Sequence, residues 1–146
     1  MSKVEKSATV SYSAEAMFNL VNDIEAYSEF LPWCSKAEVL KRTDDLVEGK
    51  LYVAKGGFEK SFATRNRLKK NKEMTLELLE GPFKKLYGLW QFNEIDDHSC
   101  TVNFTMEFEF SNPFMAMTVG MVFNNIANTM LDAFCKRADE VYGGKA

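Results

Sequence analysis

The chain has 146 residues, of which 46% are hydrophobic and 27% are charged, as in an ordinary globular protein, and we predict a single domain over residues 1–146. No run of about 18 apolar residues is present and the first residues form no apolar leader, so we expect neither a membrane span nor export. The net charge is −3, and the three widely spaced cysteines favour a cytoplasmic protein with free thiols.

The first part of the chain predicts one strand followed by two short helices. Alternating apolar residues predict a strand over residues 4–12. Ser13 is a favourable N-cap for a helix whose apolar stripe contains Met17 and Val21, and Asp23 is a favourable N-cap for a shorter helix. Pro32 ends this second helix, because proline lacks the backbone N–H that a helix interior requires.

Five further strands are predicted over residues 36–42, 46–54, 60–70, 74–80 and 86–94, separated by turn residues such as Gly56-Gly57. Parallel strands need a crossover of roughly a dozen residues, and these connections are too short for one. We therefore expect an antiparallel meander. Its inward-facing residues are predicted to be Val47, Leu51, Val53, Phe62, Thr64, Leu68, Gly88, Trp90 and Phe92.

Residues 100–110 carry the clearest strand pattern, because apolar and polar residues alternate there without a fault. Asn112 and Pro113 then suit the N-cap and first position of a helix, and no residue before Tyr142 breaks it. Such a helix is about 45 Å long at 1.5 Å per residue. The order of elements predicts an α+β fold in which one long terminal helix lies across an antiparallel sheet and leaves a space between them.

The terminal helix is apolar on more than one side. One stripe at helical spacing is predicted to face the sheet, and it contains Met115, Val119, Val122, Phe123, Ile126, Met130, Ala133, Phe134 and Val141. Phe114, Met117 and Met121 fall on the opposite side of the first turns. An exposed apolar group of this kind indicates a contact surface for a partner or a membrane.

Several short segments, in their order and spacing, resemble the coenzyme-Q-binding START-domain family of the polyketide cyclase/START-like superfamily. The resemblance covers nearly the whole chain. The segments are Phe30-Leu31-Pro32-Trp33-Cys34, Glu80-Gly81-Pro82-Phe83-Lys84-Lys85-Leu86, Tyr12-Ser13-Ala14-Glu15, Leu20-Val21-Asn22-Asp23, Thr64-Arg65-Asn66, Phe108-Glu109-Phe110, and the end from Ala133-Phe134 to Glu140-Val141-Tyr142.

This resemblance implies the helix-grip fold, a curved antiparallel sheet wrapped round a long C-terminal helix with a lipid-sized cavity between them. The coenzyme-Q branch of the family implies binding of a polyisoprenoid quinone in support of respiration, in the cytoplasm or at the surface of the inner membrane. Within the family, the segments most resemble the branch of bacterial ribosome-association toxins, which implies binding to the 50S subunit and a block of subunit joining. Pro32-Trp33-Cys34 is typical of the quinone chaperones, whereas the toxins can carry glycine in place of Trp33, so both branches stay open.

Catalytic residues are not apparent in the sequence. The one histidine, His98, lies in a predicted turn, and no second histidine or cysteine stands at metal-ligand spacing from it. Cys34 has no candidate base close to it in sequence. We therefore predict a non-enzymatic binding protein without metal or cofactor other than a bound quinone or lipid. A cyclase remains a third alternative, because the superfamily includes such enzymes.

We predict that the ligand lies in an apolar cavity between the sheet and the terminal helix. A pocket of roughly 300 Å³ would cost on the order of 7 kcal/mol if it stayed unfilled, so a ligand of matching character is expected. The predicted ligand-binding residues are Phe30, Leu31, Pro32, Trp33, Phe62, Trp90, Phe92, Phe104, Met106, Val119, Val122, Phe123, Ile126 and Met130. The predicted mouth consists of Trp33, Phe83, Phe114, Met117 and Met121.

A basic stripe is the competing signal. Ten Lys or Arg and only four Glu lie between Lys50 and Lys85. The predicted RNA- or partner-binding residues are Arg65, Arg67, Lys69, Lys70 and Lys72. Such side chains suit the phosphates of ribosomal RNA. The alternative is that acidic residues on the sheet, such as Glu59 and Glu77, neutralise the stripe.

Overall fold

The computed structural model describes residues 2–55 and 58–143, without the side chain of Phe58. Its elements are β1 (Ser2–Val10), α1 (Ala14–Asn22), a 3-10 turn (Ile24–Ala26), α2 (Tyr27–Phe30), β2 (Cys34–Arg42), β3 (Leu46–Lys55), β4 (Phe58–Lys69), β5 (Glu73–Glu80), β6 (Phe83–Asp96), β7 (Ser99–Phe110) and α3 (Pro113–Tyr142). The sequence predicted these elements with ends displaced by a few residues, and the second short helix is divided into the 3-10 turn and α2. The turn predicted at Gly56-Gly57 lies outside the described residues.

The seven strands form one antiparallel sheet of order β1-β7-β6-β5-β4-β3-β2. Strands β2 to β7 pair with their neighbours in sequence, as the predicted meander requires. Strand β1 instead pairs with β7, with Val10 opposite Cys100. Register shifts at Ala63/Thr64 in β4 and at Glu94/Asp96 in β6 are β-bulges, which bend and twist a sheet. The predicted helix-grip fold, a curved sheet with a long C-terminal helix, is confirmed.

Strand β7 supplies the buried centre of the sheet, and its predicted alternation is confirmed. Every second side chain from Cys100 to Phe110 is buried, and the side chains between them are half-buried on the outer face. Phe104 and Phe108 are each only 1% exposed. A side chain of this size contributes roughly 1.5–3 kcal/mol on burial, so β7 is a major source of the stability of the sheet.

Helix α3 begins where the sequence predicted, since the side chain of Asn112 accepts a hydrogen bond from the Phe114 backbone N–H at 2.8 Å and Pro113 follows it. Two phenylalanines attach the helix to the sheet. The Phe123 ring centroid lies 4.7 Å from that of Phe108, and the Phe134 centroid lies 5.2 Å from that of Trp90. The buried side chains of α3 are Phe123, Ile126, Ala127, Met130, Leu131, Phe134 and Ala138.

The last turn of α3 is tied to the start of the chain. The Tyr142 hydroxyl donates to the Ala16 carbonyl of α1 at 3.0 Å, and the Tyr12 hydroxyl donates to the Asp139 carboxylate. Tyr142 therefore occupies the inner side of this turn, and Val141, which the periodicity placed on the buried stripe, is 38% exposed. Strand β1 ends at Val10 and not at residue 12, and Tyr12 lies beyond the sheet, where its hydroxyl reaches Asp139.

Gly81 connects β5 to β6 with a backbone conformation that other residues adopt rarely. Its φ is +147°, and a Cβ added there would lie 2.7 Å from Cβ of Phe62. Phe62 packs edge-on against Phe83 and Phe123, so it has little freedom to move away. The turn thus depends on the absence of a side chain at this position.

We predict that Gly81→Ala lowers the free energy of unfolding by about 1–3 kcal/mol, because the new methyl group strains the turn. Gly120→Ala is the matched control, since nothing lies within 4 Å of a Cβ at that helical position. This control should raise the free energy of unfolding by roughly 0.5–1 kcal/mol through helix propensity. Urea denaturation measures both free energies of unfolding. Equal effects at the two positions would contradict the requirement for glycine at position 81.

Candidate apolar binding cavity

A cavity of about 40 Å³ lies between the inner face of the sheet and the helices. Strands β3 to β7 form its floor, the 3-10 turn and α2 form one side, and α3 covers it. The lining residues are Ile24, Tyr27, Gly49, Leu51, Phe62, Thr64, Asn66, Leu76, Leu86, Trp90, Phe104, Met106, Met130 and Phe134. The cavity is therefore apolar, with two polar side chains on strand β4.

The cavity is smaller than the sequence predicted. Ligand pockets usually measure about 300–1,000 Å³, whereas one buried water needs about 10–15 Å³. The reason is Phe134, which is fully buried and whose ring centroid lies 5.2 Å from those of Tyr27, Phe30 and Trp90. At this volume an unfilled cavity costs only about 1 kcal/mol, not the 7 kcal/mol expected above.

Five of the predicted ligand-binding residues line this cavity: Phe62, Trp90, Phe104, Met106 and Met130. They come from β4, β6, β7 and α3, so residues far apart in sequence do meet as the fold required. Trp90 and Phe104 are in close contact, with ring centroids 4.4 Å apart. Their role in binding a ligand stays a prediction.

The predicted residues of the segment 30–33 lie outside the cavity. Leu31 and Trp33 are buried in the core at 1% and 4% exposure and do not line the cavity. Phe30 and Pro32 border a surface groove beside Arg137, whose guanidinium carbon lies 5.1 Å from the Phe30 ring centroid. Residues 30–33 do not line the cavity because Tyr27 is the residue of α2 that faces it.

The remaining predicted residues also lie elsewhere. Phe92 follows Trp90 on the inner face of β6 and packs against Phe18 of α1, with centroids 5.7 Å apart. Val119, Val122, Phe123 and Ile126 belong to the first half of α3, whereas the cavity lies beneath Met130 and Phe134. A helical stripe shows which side faces the sheet, but it does not show which turn lies above a cavity.

Sequence reasoning missed eight lining residues: Ile24, Tyr27, Gly49, Leu51, Thr64, Asn66, Leu76 and Leu86. The sequence predicts that Leu51 and Thr64 lie on the inner face of the sheet, but it does not mark them as ligand-binding residues. Strict alternation along β4 would also have placed Asn66 there, two residues after Thr64. Phe134 belongs to the apolar stripe of the terminal helix, which the sequence predicts to face the sheet and to wall the cavity, and it does line the cavity.

Thr64 and Asn66 are the buried polar side chains of the described residues, at 6% and 3% exposure. The Thr64 hydroxyl donates to Oδ1 of Asn66 at 2.7 Å. Nδ2 of Asn66 lies 3.8 Å from Sδ of Met74. These two side chains give an otherwise apolar cavity one polar point. The Tyr27 hydroxyl is not a second such point, because it donates to the Val21 carbonyl.

The ionisable groups near the core favour the neutral state. Burial raises the pKa of the Cys34 thiol, and burial together with Cys135 raises the pKa of Cys100 to about 11. Burial also raises the pKa of the Tyr27 hydroxyl. Over residues 2–55 and 58–143, no group of three or more His, Cys, Asp or Glu side chains is placed to hold a metal ion. His98 is exposed in the turn between β6 and β7.

An apolar patch, formed by Phe114, Met117 and Met121, lies on the outer side of α3. These side chains are 72%, 83% and 85% exposed. Trp33 and Phe83, which the sequence predicted to join them, are buried; the Phe83 ring is stacked on that of Phe110 at 4.9 Å. No helix in the described part of the chain has the length and apolar character to cross a bilayer.

The predicted basic stripe is largely paired with acidic residues on the same face of the sheet. Nε of Arg65 lies 2.9 Å from Glu48, and Nε of Arg67 lies 2.9 Å from Glu77. Nζ of Lys69 lies 3.7 Å from Glu73. Glu77 is thus a partner as predicted, but Glu48 and Glu73 take the place of Glu59, because β4 pairs with β3 and β5 at those positions.

Lys70 and Lys72 stand apart from these pairs. Both are exposed and lie in the turn between β4 and β5. Neither forms an ion pair with a carboxylate of the described residues. This turn is therefore the part of the predicted basic surface that remains open to an anionic partner.

Comparison with known proteins places this arrangement in a family. The sequence profile described as "Polyketide cyclase / dehydrase and lipid transport" matches residues 10–135. "Ribosome association toxin RatA" of Pseudomonas aeruginosa is 41% identical over 140 residues, which cover 96% of this chain and 97% of the relative. "Coenzyme Q-binding protein COQ10, mitochondrial" of Dictyostelium discoideum is 29% identical over 143 residues, covering 95% and 70%.

Among solved structures, the Zhui aromatase/cyclase of Streptomyces sp. R1128 superposes with a TM-score of 0.84, with 99% of each chain covered and 18% sequence identity. That likeness supports the fold alone. The resemblance predicted from the short segments is confirmed by the profile and by the two relatives. The chain belongs to the polyketide cyclase/START-like family.

Proposed function

We propose that this protein is a non-enzymatic binding protein that holds a polyisoprenoid quinone or a similar lipid in the cavity beneath α3 and supports respiration. The observation that carries the proposal is the buried apolar cavity at the centre of the sheet, walled by Trp90, Phe104 and Met130. The similarity to a coenzyme Q-binding protein supports the same ligand class. The protein would act in the cytoplasm, at the surface of the inner membrane.

A lipid requires more space than 40 Å³, so binding would enlarge the cavity. Met106 and Met130 support this step, because methionine has three rotatable bonds and repacks at low cost. The start of α3 supports it as well: from Pro113 to Met121 no side chain is buried. Its contacts with the core come from the partly buried Met115 and Val119, so displacing this part of the helix would break fewer apolar contacts than displacing the part from Phe123 onwards.

The absence of catalysis is part of the proposal. Burial keeps the Cys34 and Cys100 thiols protonated by raising their pKa values, and a thiol is a poor nucleophile compared with a thiolate. The cavity contains Thr64 and Asn66 but no carboxylate or histidine that could act as a general base. These observations favour a carrier over a cyclase.

We predict that filling the cavity blocks the ligand. Leu76→Phe places a larger side chain in the lining, and the affinity for a short-chain isoprenoid quinone should fall about tenfold or more, as overpacking usually costs about 1–3 kcal/mol. Leu79→Phe, on the same strand but outside the lining and 39% exposed, is the control and should bind as the native chain does. Titration calorimetry measures both. The proposal fails if the native chain binds no quinone or if the two variants behave alike.

We predict that the apolar patch brings the carrier to a membrane. Met117→Ser combined with Met121→Ser should change the free energy of unfolding by less than about 0.5 kcal/mol, because both side chains are exposed. The same variant should sediment less with liposomes. Leu40→Ser combined with Ile95→Ser is the control, since these residues are 52% and 57% exposed on other elements. A large loss of stability, or equal liposome binding by both variants, would contradict the prediction.

A second candidate function is association with the 50S ribosomal subunit and a block of subunit joining. It is favoured by the 41% identity to a ribosome association toxin over nearly the whole chain. Lys70 and Lys72 are the side chains that this proposal assigns to ribosomal RNA, because the other basic side chains of the stripe are paired with acidic residues. The two functions use different surfaces and are separable by experiment.

For this second function we predict that Lys70→Glu combined with Lys72→Glu weakens sedimentation with 50S particles. The slope of log affinity against log salt should flatten by about 1.5, since each phosphate contact contributes about 0.7–0.9. Lys6→Glu combined with Lys41→Glu makes the same change in charge at exposed positions of β1 and β2, and it should have no effect. Binding that is absent in the native chain, or insensitive to salt, would remove this function and leave quinone binding untouched.

A further inference from the structure

Strand β4 brings two polar side chains to the floor of an otherwise apolar cavity. Phe62, Thr64 and Asn66 share its inner face, and the last two are 6% and 3% exposed. A buried amide is unfavourable unless its donors and acceptors find partners. A valine or leucine would fill the same space without this cost, so the polar pair requires an explanation.

The hydrogen bonds of Asn66 are only partly made within the described residues. Its Oδ1 accepts from the Thr64 hydroxyl at 2.7 Å. Its Nδ2 carries two N–H donors, and its contact is Sδ of Met74 at 3.8 Å, where a thioether is a weak acceptor. Asn66 lines the cavity, whereas Met74 does not. The second N–H of this amide, which is not directed to Sδ, therefore has no acceptor among those residues.

Thr64 also fixes the direction of the amide. Because its hydroxyl donates to Oδ1, the carbonyl end of the Asn66 side chain is turned to Thr64 and the NH₂ end is turned away from it. The other lining side chains are apolar, apart from that of Tyr27, whose hydroxyl donates to the Val21 carbonyl. A ligand in this cavity would thus meet one oriented donor in an apolar surround.

We propose that Nδ2 of Asn66 donates a hydrogen bond to a ring oxygen of the bound ligand, with Thr64 as the positioning residue. This inference rests on the proposed binding of a lipid in the cavity. It narrows the ligand to an apolar molecule whose ring carries a hydrogen-bond acceptor, as the carbonyl of a quinone does. A plain hydrocarbon lipid would leave the donor without a partner and would bind less well.

The test compares two ligands of the same size, a short-chain isoprenoid quinone and the corresponding isoprenoid-substituted arene without ring oxygens. The native chain should prefer the quinone about tenfold. Asn66→Leu should abolish this preference, lowering quinone affinity about tenfold without weakening the arene. Asn103→Leu, on the outer face of β7, is the matched control and should keep the preference.

Thr64→Val removes the hydroxyl at nearly constant shape and gives a second variant should Asn66→Leu fail to fold. It should lower the preference for the quinone about threefold, because no donor at position 64 then holds the carbonyl end of the amide in place, a change that a purely structural role would not produce. Equal affinity of the native chain for both ligands overturns the inference but leaves lipid binding standing. A native chain that binds neither ligand overturns both. Unchanged preference in Asn66→Leu or in Thr64→Val also overturns the inference.

Discussion

Helix α3 is held on the sheet by two of its phenylalanine rings, and the rest of the structure depends on these contacts. Phe123 packs among the rings of Phe62, Phe83 and Phe108, with centroids 4.7 to 5.9 Å away. Phe134, eleven residues further along the helix, packs edge-on against Trp90. Without the helix, the inner face of a seven-stranded sheet would expose its aromatic side chains to water, at a cost of roughly 1.5–3 kcal/mol for each one.

The cavity lies beside the second of these attachments, since Phe134 and Trp90 both line it. Met106 and Met130 fill the remaining space between the sheet and the helix incompletely. Phe134 has opposing effects: its ring holds the helix in place and also occupies space that a ligand would need. A lipid that entered would have to replace the contacts of this ring with its own, and on the proposed function its affinity would then be linked to the stability of the fold through one side chain.

Much of the fold follows from local patterns in the sequence, and much of the site does not. The alternation from Cys100 to Phe110, the cap at Asn112 and the short connections determine strands, helix and antiparallel order, because each depends on neighbours in sequence. The burial of Trp33 and Phe83 could not be predicted from such local patterns. Both are apolar residues next to turns, and only the packed structure shows that they lie in the core. Likewise the partners of Arg65 and Lys69 depend on strand register, which composition does not determine.

The two ends of α3 are held unequally. At its C-terminal end Tyr142 and Tyr12 join the helix to the beginning of the chain by hydrogen bonds, whereas from Pro113 to Met121 no side chain is buried. The start of the helix is attached by other means, because only two residues separate the end of β7 from Pro113 and the Ser111 backbone N–H donates to the Pro82 carbonyl at 3.1 Å. The hydrogen bond between Tyr142 and Ala16 joins residues that are 126 positions apart in sequence. The first and the last helix of the chain therefore stabilise each other, and neither has its native surroundings until the whole chain is present.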